Sequence, residues 1–81
     1  MPRTLSSARQ ARLAELLISY REQAGLTQVD VARALGRHQP FISNIEAGQR
    51  RVDVVELLDL AAAIGFDPGE LIEKLTRTPG E

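Results

Sequence analysis

The chain has 81 residues, no cysteine, a single histidine, a formal net charge of -1, 43% hydrophobic residues and three aromatics, Tyr20, Phe41 and Phe66. A length of this order suits one small domain, expected to run over 1–81 with an ordered core at about 6–75, and that core is barely large enough to fold without a partner. Disulfides and thiolate metal sites are excluded, one histidine builds neither a His-based metal cluster nor a Ser-His triad, and we expect no enzyme, no metal and no cofactor.

The apolar content is mostly Leu, Ile, Val and Ala, which suits closely packed helices, so the expected class is all-α. No apolar run exceeds five residues, Leu60 to Ile64, and the N-terminal stretch is not apolar. Neither a membrane span nor a signal peptide is predicted, which makes a cytoplasmic location the expectation.

Five helices follow from caps and apolar spacing. In the first, Ser7 and Gln10 form a capping box, and Leu13, Leu17, Tyr20 and Ala24 recur on one face until Gly25 stops it. Thr27 caps the second, with Asp30 at N3 and Leu26 stapled to Val31; Val31, Ala32 and Leu35 point inward, and Gly36 supplies a left-handed turn. The third begins near His38, carries Pro40 in its first turn, buries Ile42 and Ile45, and ends at Gly48. After the loop GQRRV, Asp53 caps the fourth helix with Glu56 at N3; Val54, Leu57, Leu60, Ala61 and Ile64 face inward and Gly65 stops it. The last starts at Asp67, with Pro68 at N1 and Glu70 at N3, and buries Leu71, Ile72 and Leu75. The head MPRT and the tail RTPGE are expected to fray.

Charge divides the chain. Residues 1–51 hold eight Arg against four acids, +4, and residues 52–81 hold two bases against seven acids, -5. Such asymmetry fits a protein with one surface facing a polyanion. The third helix shows what that surface would read. With Ile42 and Ile45 buried, the 100° step per residue leaves Gln39, Pro40, Ser43, Asn44 and Ala47 outward. Gln and Asn both donate and accept, the pattern needed at adenine N6 and N7 in the major groove. Around this face stand Arg37 before the helix, Arg50 and Arg51 after it, and Gln28 in the first turn of the second helix, all placed to hold phosphates.

The segment from Leu26 to Gly48 closely resembles the helix-turn-helix of phage repressors and Cro proteins, the Xre family. The likeness is carried by LTQ, Ala32, Leu35-Gly36, Gln39, Ile42-Ser43, Ile45-Glu46 and Gly48, and continues more loosely from Asp53 to Phe66. It implies a five-helix phage-repressor-like domain, with the helix-turn-helix at 27–48 and the third helix in the major groove. On that likeness Gln39, Pro40, Ser43 and Asn44 read bases, while Thr27, Gln28, Arg37, His38, Arg50 and Arg51 lie on the DNA backbone. Arg21 and Glu46 correspond to a buried ion pair joining the first helix to the end of the third.

Three positions depart from the family pattern. His38 stands where Ser or Thr usually caps, and either caps or reaches a phosphate; Pro40 offers only apolar contact, such as with a thymine methyl. Phe41 packs between the second and third helices or touches the sugar-phosphate wall.

Relatives of this kind bind palindromic operators as symmetric dimers, with half-sites roughly 34 Å apart. We expect a homodimer joined through Phe66, Leu71, Ile72 and Leu75, acting as a sequence-specific regulator of transcription, most simply a repressor, on double-stranded DNA. The alternative is an antitoxin or protein-interaction module with a protein partner, suggested by the acidic second half and a recognition face free of Lys and Arg.

Overall fold

The computed structural model describes residues 7–79. They form five helices, α1 Ala8–Gln23, α2 Gln28–Ala34, α3 Gln39–Glu46, α4 Val54–Ile64 and α5 Pro68–Thr76, and no strand. The fraying expected of the first four residues and of Gly80 and Glu81 lies outside the described residues. Within the described part of the tail, Arg77 ends α5 as its C-cap and Arg9 Nε donates to the Thr78 carbonyl at 2.9 Å, so these residues are tied to α1.

Local chemistry sets most boundaries. Thr27 and Asp30 cap α2 reciprocally, each side chain accepting from the other's backbone N–H, and Asp53 and Glu56 do the same for α4. At α1 the box is one-sided: Ser7 accepts from Gln10 N–H, but the Gln10 side chain turns inward and is buried. Asp67 likewise accepts from Gly69 N–H, while Glu70 reaches across to accept from the Tyr20 hydroxyl.

The core is built from Leu16 and Leu17 of α1, Val31 and Ala32 of α2, Ile42 and Ile45 of α3, Leu57 and Leu60 of α4, and Leu71 of α5. In it α3 packs on α2 and α1, and α5 closes on α1 and α4. Burial of each such large aliphatic side chain contributes about 1.5–3 kcal/mol. Leu16 and Ala14, absent from the predicted stripe, are buried because α1 is covered by α3 on one side and α5 on another, which widens its apolar face.

Three inward assignments are corrected. Ala24 is exposed, being the C-cap where α1 has already unwound. Val54 is 72% exposed, since the buried positions of α4 begin at Leu57 and its first turn projects past the core. Ile72 is 46% exposed, while its neighbour Leu71 is 0% exposed. Leu71 is therefore no part of a dimer surface, as it fills the space between α5, α1 and α4. Phe66 is half-buried and stacks on Tyr20 with ring centroids 4.4 Å apart, and Leu75 is half-buried against the core.

Candidate nucleic-acid interface

Two Schellman turns frame α3. Gly36, at φ +67°, follows the C-cap of α2, with Arg37 N–H donating to the Ala32 carbonyl at 2.9 Å and Gly36 N–H to Arg33 at 3.1 Å. Gly48, at φ +76°, repeats the pattern after α3, through Gln49 N–H to Asn44 at 2.9 Å and Gly48 N–H to Ile45 at 3.1 Å. The left-handed conformation at Gly36 lets the chain reverse over residues 35–38, which sets α3 across α2.

Of the predicted reading face, Gln39, Pro40 and Asn44 are exposed, as is Ala47. Ser43 is half-buried and its hydroxyl donates to the Pro40 carbonyl at 3.3 Å. His38 is the N-cap of α3 and is exposed, with no hydrogen bond from its side chain to the helix. Pro40 occupies the first turn, where its missing N–H leaves nothing unpaired.

Behind this face runs a chain of polar side chains. Arg21 donates to both carboxylate oxygens of Glu46, Nε to Oε2 at 2.7 Å and Nη2 to Oε1 at 3.0 Å, and Nη1 to the Leu26 carbonyl at 2.9 Å. The two side chains are only 13% and 8% exposed, and the bonds to Glu46 hold the Arg21 guanidinium pKa above its usual value. Gln28 Nε2 donates to Glu46 Oε1 at 2.8 Å, and Gln39 Nε2 donates to Gln28 Oε1 at 2.6 Å. Glu46 accepts only, so it fixes which end of the Gln28 amide faces it, and Gln28 Oε1 in turn fixes the amide of Gln39. Gln39, which is exposed, keeps its carbonyl oxygen and one N–H uncommitted, one acceptor and one donor.

Thr27 and Gln28, predicted on the DNA backbone, sit at the start of α2. The Thr27 oxygen accepts from Asp30 N–H as a cap, and Gln28 is placed between Gln39 and Glu46 with one amide hydrogen uncommitted.

A second cluster was not foreseen. Two guanidinium groups lie over the Phe41 ring, Arg37 at 4.2 Å and Arg50 at 4.5 Å from its centroid. Arg50 also makes a two-pronged bond to Glu56 at 2.9 and 2.8 Å and donates to the Arg51 carbonyl at 2.8 Å; Arg37 approaches Glu56 to 3.7 Å. Phe41 thus packs against the core and carries both arginines over its ring. The sequence predicts for Glu56 only the N3 capping role in α4. Its link to Arg50, six residues earlier across a loop, leaves no periodic trace in sequence.

The Arg50 guanidinium holds the Glu56 carboxyl at about 2, well below 4.5, against the desolvation that opposes ionisation. Because the folded value is depressed, the stabilisation is complete above about pH 4.5 and disappears as pH falls towards 2. After allowance for solvent around the half-exposed arginines it amounts to about 1–2 kcal/mol. Urea unfolding of the wild type and of Glu56→Gln should therefore differ by this amount at pH 6, with the gap narrowing below about pH 4.5 and closing only near pH 2; a constant gap would refute the linkage.

Arg51 is exposed. Among the described residues no three His, Asp or Glu side chains converge as metal ligands, and no helix is long and apolar enough to cross a membrane.

A family model described as a helix-turn-helix domain matches residues 12–75. An Xre-family-like protein of Pseudomonas syringae has a solved structure that superimposes with a TM-score of 0.81 at 45% identity, covering 89% of each chain. The chain belongs to the Xre family of helix-turn-helix proteins. Within it, the chain is 37% identical over 59 residues to an HTH-type transcriptional regulator of Sinorhizobium fredii, y4dJ, covering 73% of this chain and 77% of that one. It is 35% identical over 66 residues to Repressor protein C of Rhizobium phage 16-3, covering 82% of this chain but only 25% of the phage protein. The fold is thus the five-helix, all-α arrangement of phage-repressor-like regulators, and α2 and α3 are its helix-turn-helix.

Proposed function

We propose that this Xre-family protein is a sequence-specific repressor that binds a palindromic operator as a dimer, with α3 in the major groove and Gln39 as the principal base reader. The observation that carries the reading is the Arg21–Glu46–Gln28–Gln39 chain, which anchors the amide of the exposed Gln39 through one N–H and leaves its carbonyl oxygen and second N–H uncommitted. An adenine offers N6–H and N7 in the complementary order. Asn44 and Pro40 flank Gln39 on the exposed side, and Ser43 serves through its remaining lone pair. Thr27, Gln28, Arg37, His38 and Arg51 surround them within reach of phosphates, which position the helix without reading sequence.

A reading head of four residues specifies few base pairs, and a two-fold dimer doubles the site. Ile72, the exposed parts of Phe66 and Leu75, and Val55 and Leu58 of α4 are among the apolar side chains left uncovered in the monomer and supply surface for such a dimer.

Selection from a randomised duplex pool at roughly physiological salt tests the reading, since phosphate attraction alone enriches nothing. Enrichment of a palindrome supports it; a folded protein that enriches no sequence refutes it. On the enriched duplex, Gln39→Ala should cost about 1–3 kcal/mol and relax the preference at one base pair in each half-site. Equal losses on every sequence would remove Gln39 from the reading role.

A further inference from the structure

Glu56 places a nearly buried carboxylate under two arginines at the edge of the DNA-facing side. Its side chain is 14% exposed, against 37% for Arg50 and 47% for Arg37. Both of its oxygens are taken by Arg50, which is further held by the Arg51 carbonyl and the Phe41 ring. Arg37, the most exposed of the three charges, also lies over the Phe41 ring and makes no side-chain hydrogen bond among the described residues, so its five N–H groups remain available. The cluster spans both ends of α3, Arg37 in the turn before it and Arg50 in the loop after it.

We propose that Glu56 sets the strength of sequence-independent DNA attraction by neutralising Arg50, so that the Arg37–Phe41–Arg50 stack presents one net positive charge to a phosphate where it would otherwise present two. Arg37 is the phosphate donor and Arg50 its brace. The inference rests on the DNA-binding reading of the α3 face and reassigns Arg50, which the sequence places on the DNA backbone. The physical basis is that sequence-independent affinity rises with each phosphate neutralised, while a charge fixed within a Debye length of that phosphate adds directly to the local potential. A regulator competing with a large excess of non-operator DNA is more selective when this attraction is restrained.

The test is binding to a non-operator duplex, by fluorescence anisotropy over a range of salt concentrations, for wild type, Glu56→Gln and Arg50→Gln/Glu56→Gln. Gln keeps an oxygen for the Asp53 N–H and for Arg50, and folding of each variant is checked by circular dichroism. Glu56→Gln is expected to bind about threefold to tenfold more tightly at low salt, with a log–log salt slope steeper by about one. Its preference for the selected operator over the non-operator duplex should fall. The double variant, which removes one charge of each sign, should return to the wild-type affinity and slope. An unchanged slope in folded Glu56→Gln, or weaker binding, would overturn the proposal. So would a double variant with a slope shallower by about one, since Arg50 would then hold a phosphate of its own; this comparison also decides the matter should the single variant fail to fold. Wild type that binds no duplex at all would instead defeat the DNA-binding reading on which the inference stands.

Discussion

Replacement of Arg21 by Met is expected to lower the unfolding free energy by about 3 kcal/mol, roughly a quarter or more of what a domain of this size has. Arg21 and Glu46 join the end of α1 to the end of α3, with the guanidinium fork on both carboxylate oxygens and the pair largely out of water. The favourable Coulomb and hydrogen-bond terms are largely offset by the desolvation of both ions, so the net contribution of the intact pair is small. Removing one partner is different. Glu46 would keep its burial and the C-terminal end of a helix that repels it, with only the neutral Gln28 amide to donate. Arg21→Met/Glu46→Leu should accordingly recover most of the loss, because no charge is then stranded. Urea unfolding at pH 7 measures both. A single variant within 1 kcal/mol of wild type would show that water reaches Glu46 and that the pair is not the anchor described. The same variant reports on the interface: with Glu46 displaced, Gln28 no longer has a fixed amide, and selectivity at the Gln39 base pair should weaken in the protein that remains folded.

The second large effect separates two neighbours on α5. Leu71→Ala is expected to cost about 2–5 kcal/mol, through lost burial and the cavity left among α1, α4 and α5. Ile72→Ala should change monomer stability far less, since almost half of the side chain is already in water. Thermal melts at low protein concentration distinguish them, and similar costs at the two positions would contradict the burial pattern. Oligomeric state reverses the order: Ile72→Lys should lower the mass seen by light scattering if a dimer covers this surface, and leave it unchanged if not.

The contrast between Leu71 and Ile72 shows where reading from the residues succeeds. Caps act within three or four residues, so Thr27 with Asp30 and Asp53 with Glu56 mark α2 and α4 wherever the rest of the chain lies. Glycines at positive φ stop helices for a reason intrinsic to the backbone, and Gly36 and Gly48 set the turns on either side of α3. The outward face of α3 was legible too, since Ile42 and Ile45 leave only one arrangement of an eight-residue helix. The Xre pattern from Leu26 to Gly48 supplied the family, which the structural and sequence comparisons bear out.

Local order does not decide which apolar side chain is covered when two are adjacent. Val54 and Leu57 share a stripe, as do Leu71 and Ile72 within one step, and the neighbouring helices determine that Leu57 and Leu71 are buried. The polar contacts follow the same rule. Gln39 meets Gln28 across 11 positions and Arg21 meets Glu46 across 25, and nothing in the periodicity of either segment encodes the meeting. Glu56 is the clearest instance: its capping role is local and readable, whereas its bond to Arg50 exists only because the loop after α3 returns the chain to the start of α4. Backbone conformation and helix limits come from interactions a few residues long, which a sequence carries explicitly. Burial and charge pairing come from distances between segments, which appear only when the helices are packed.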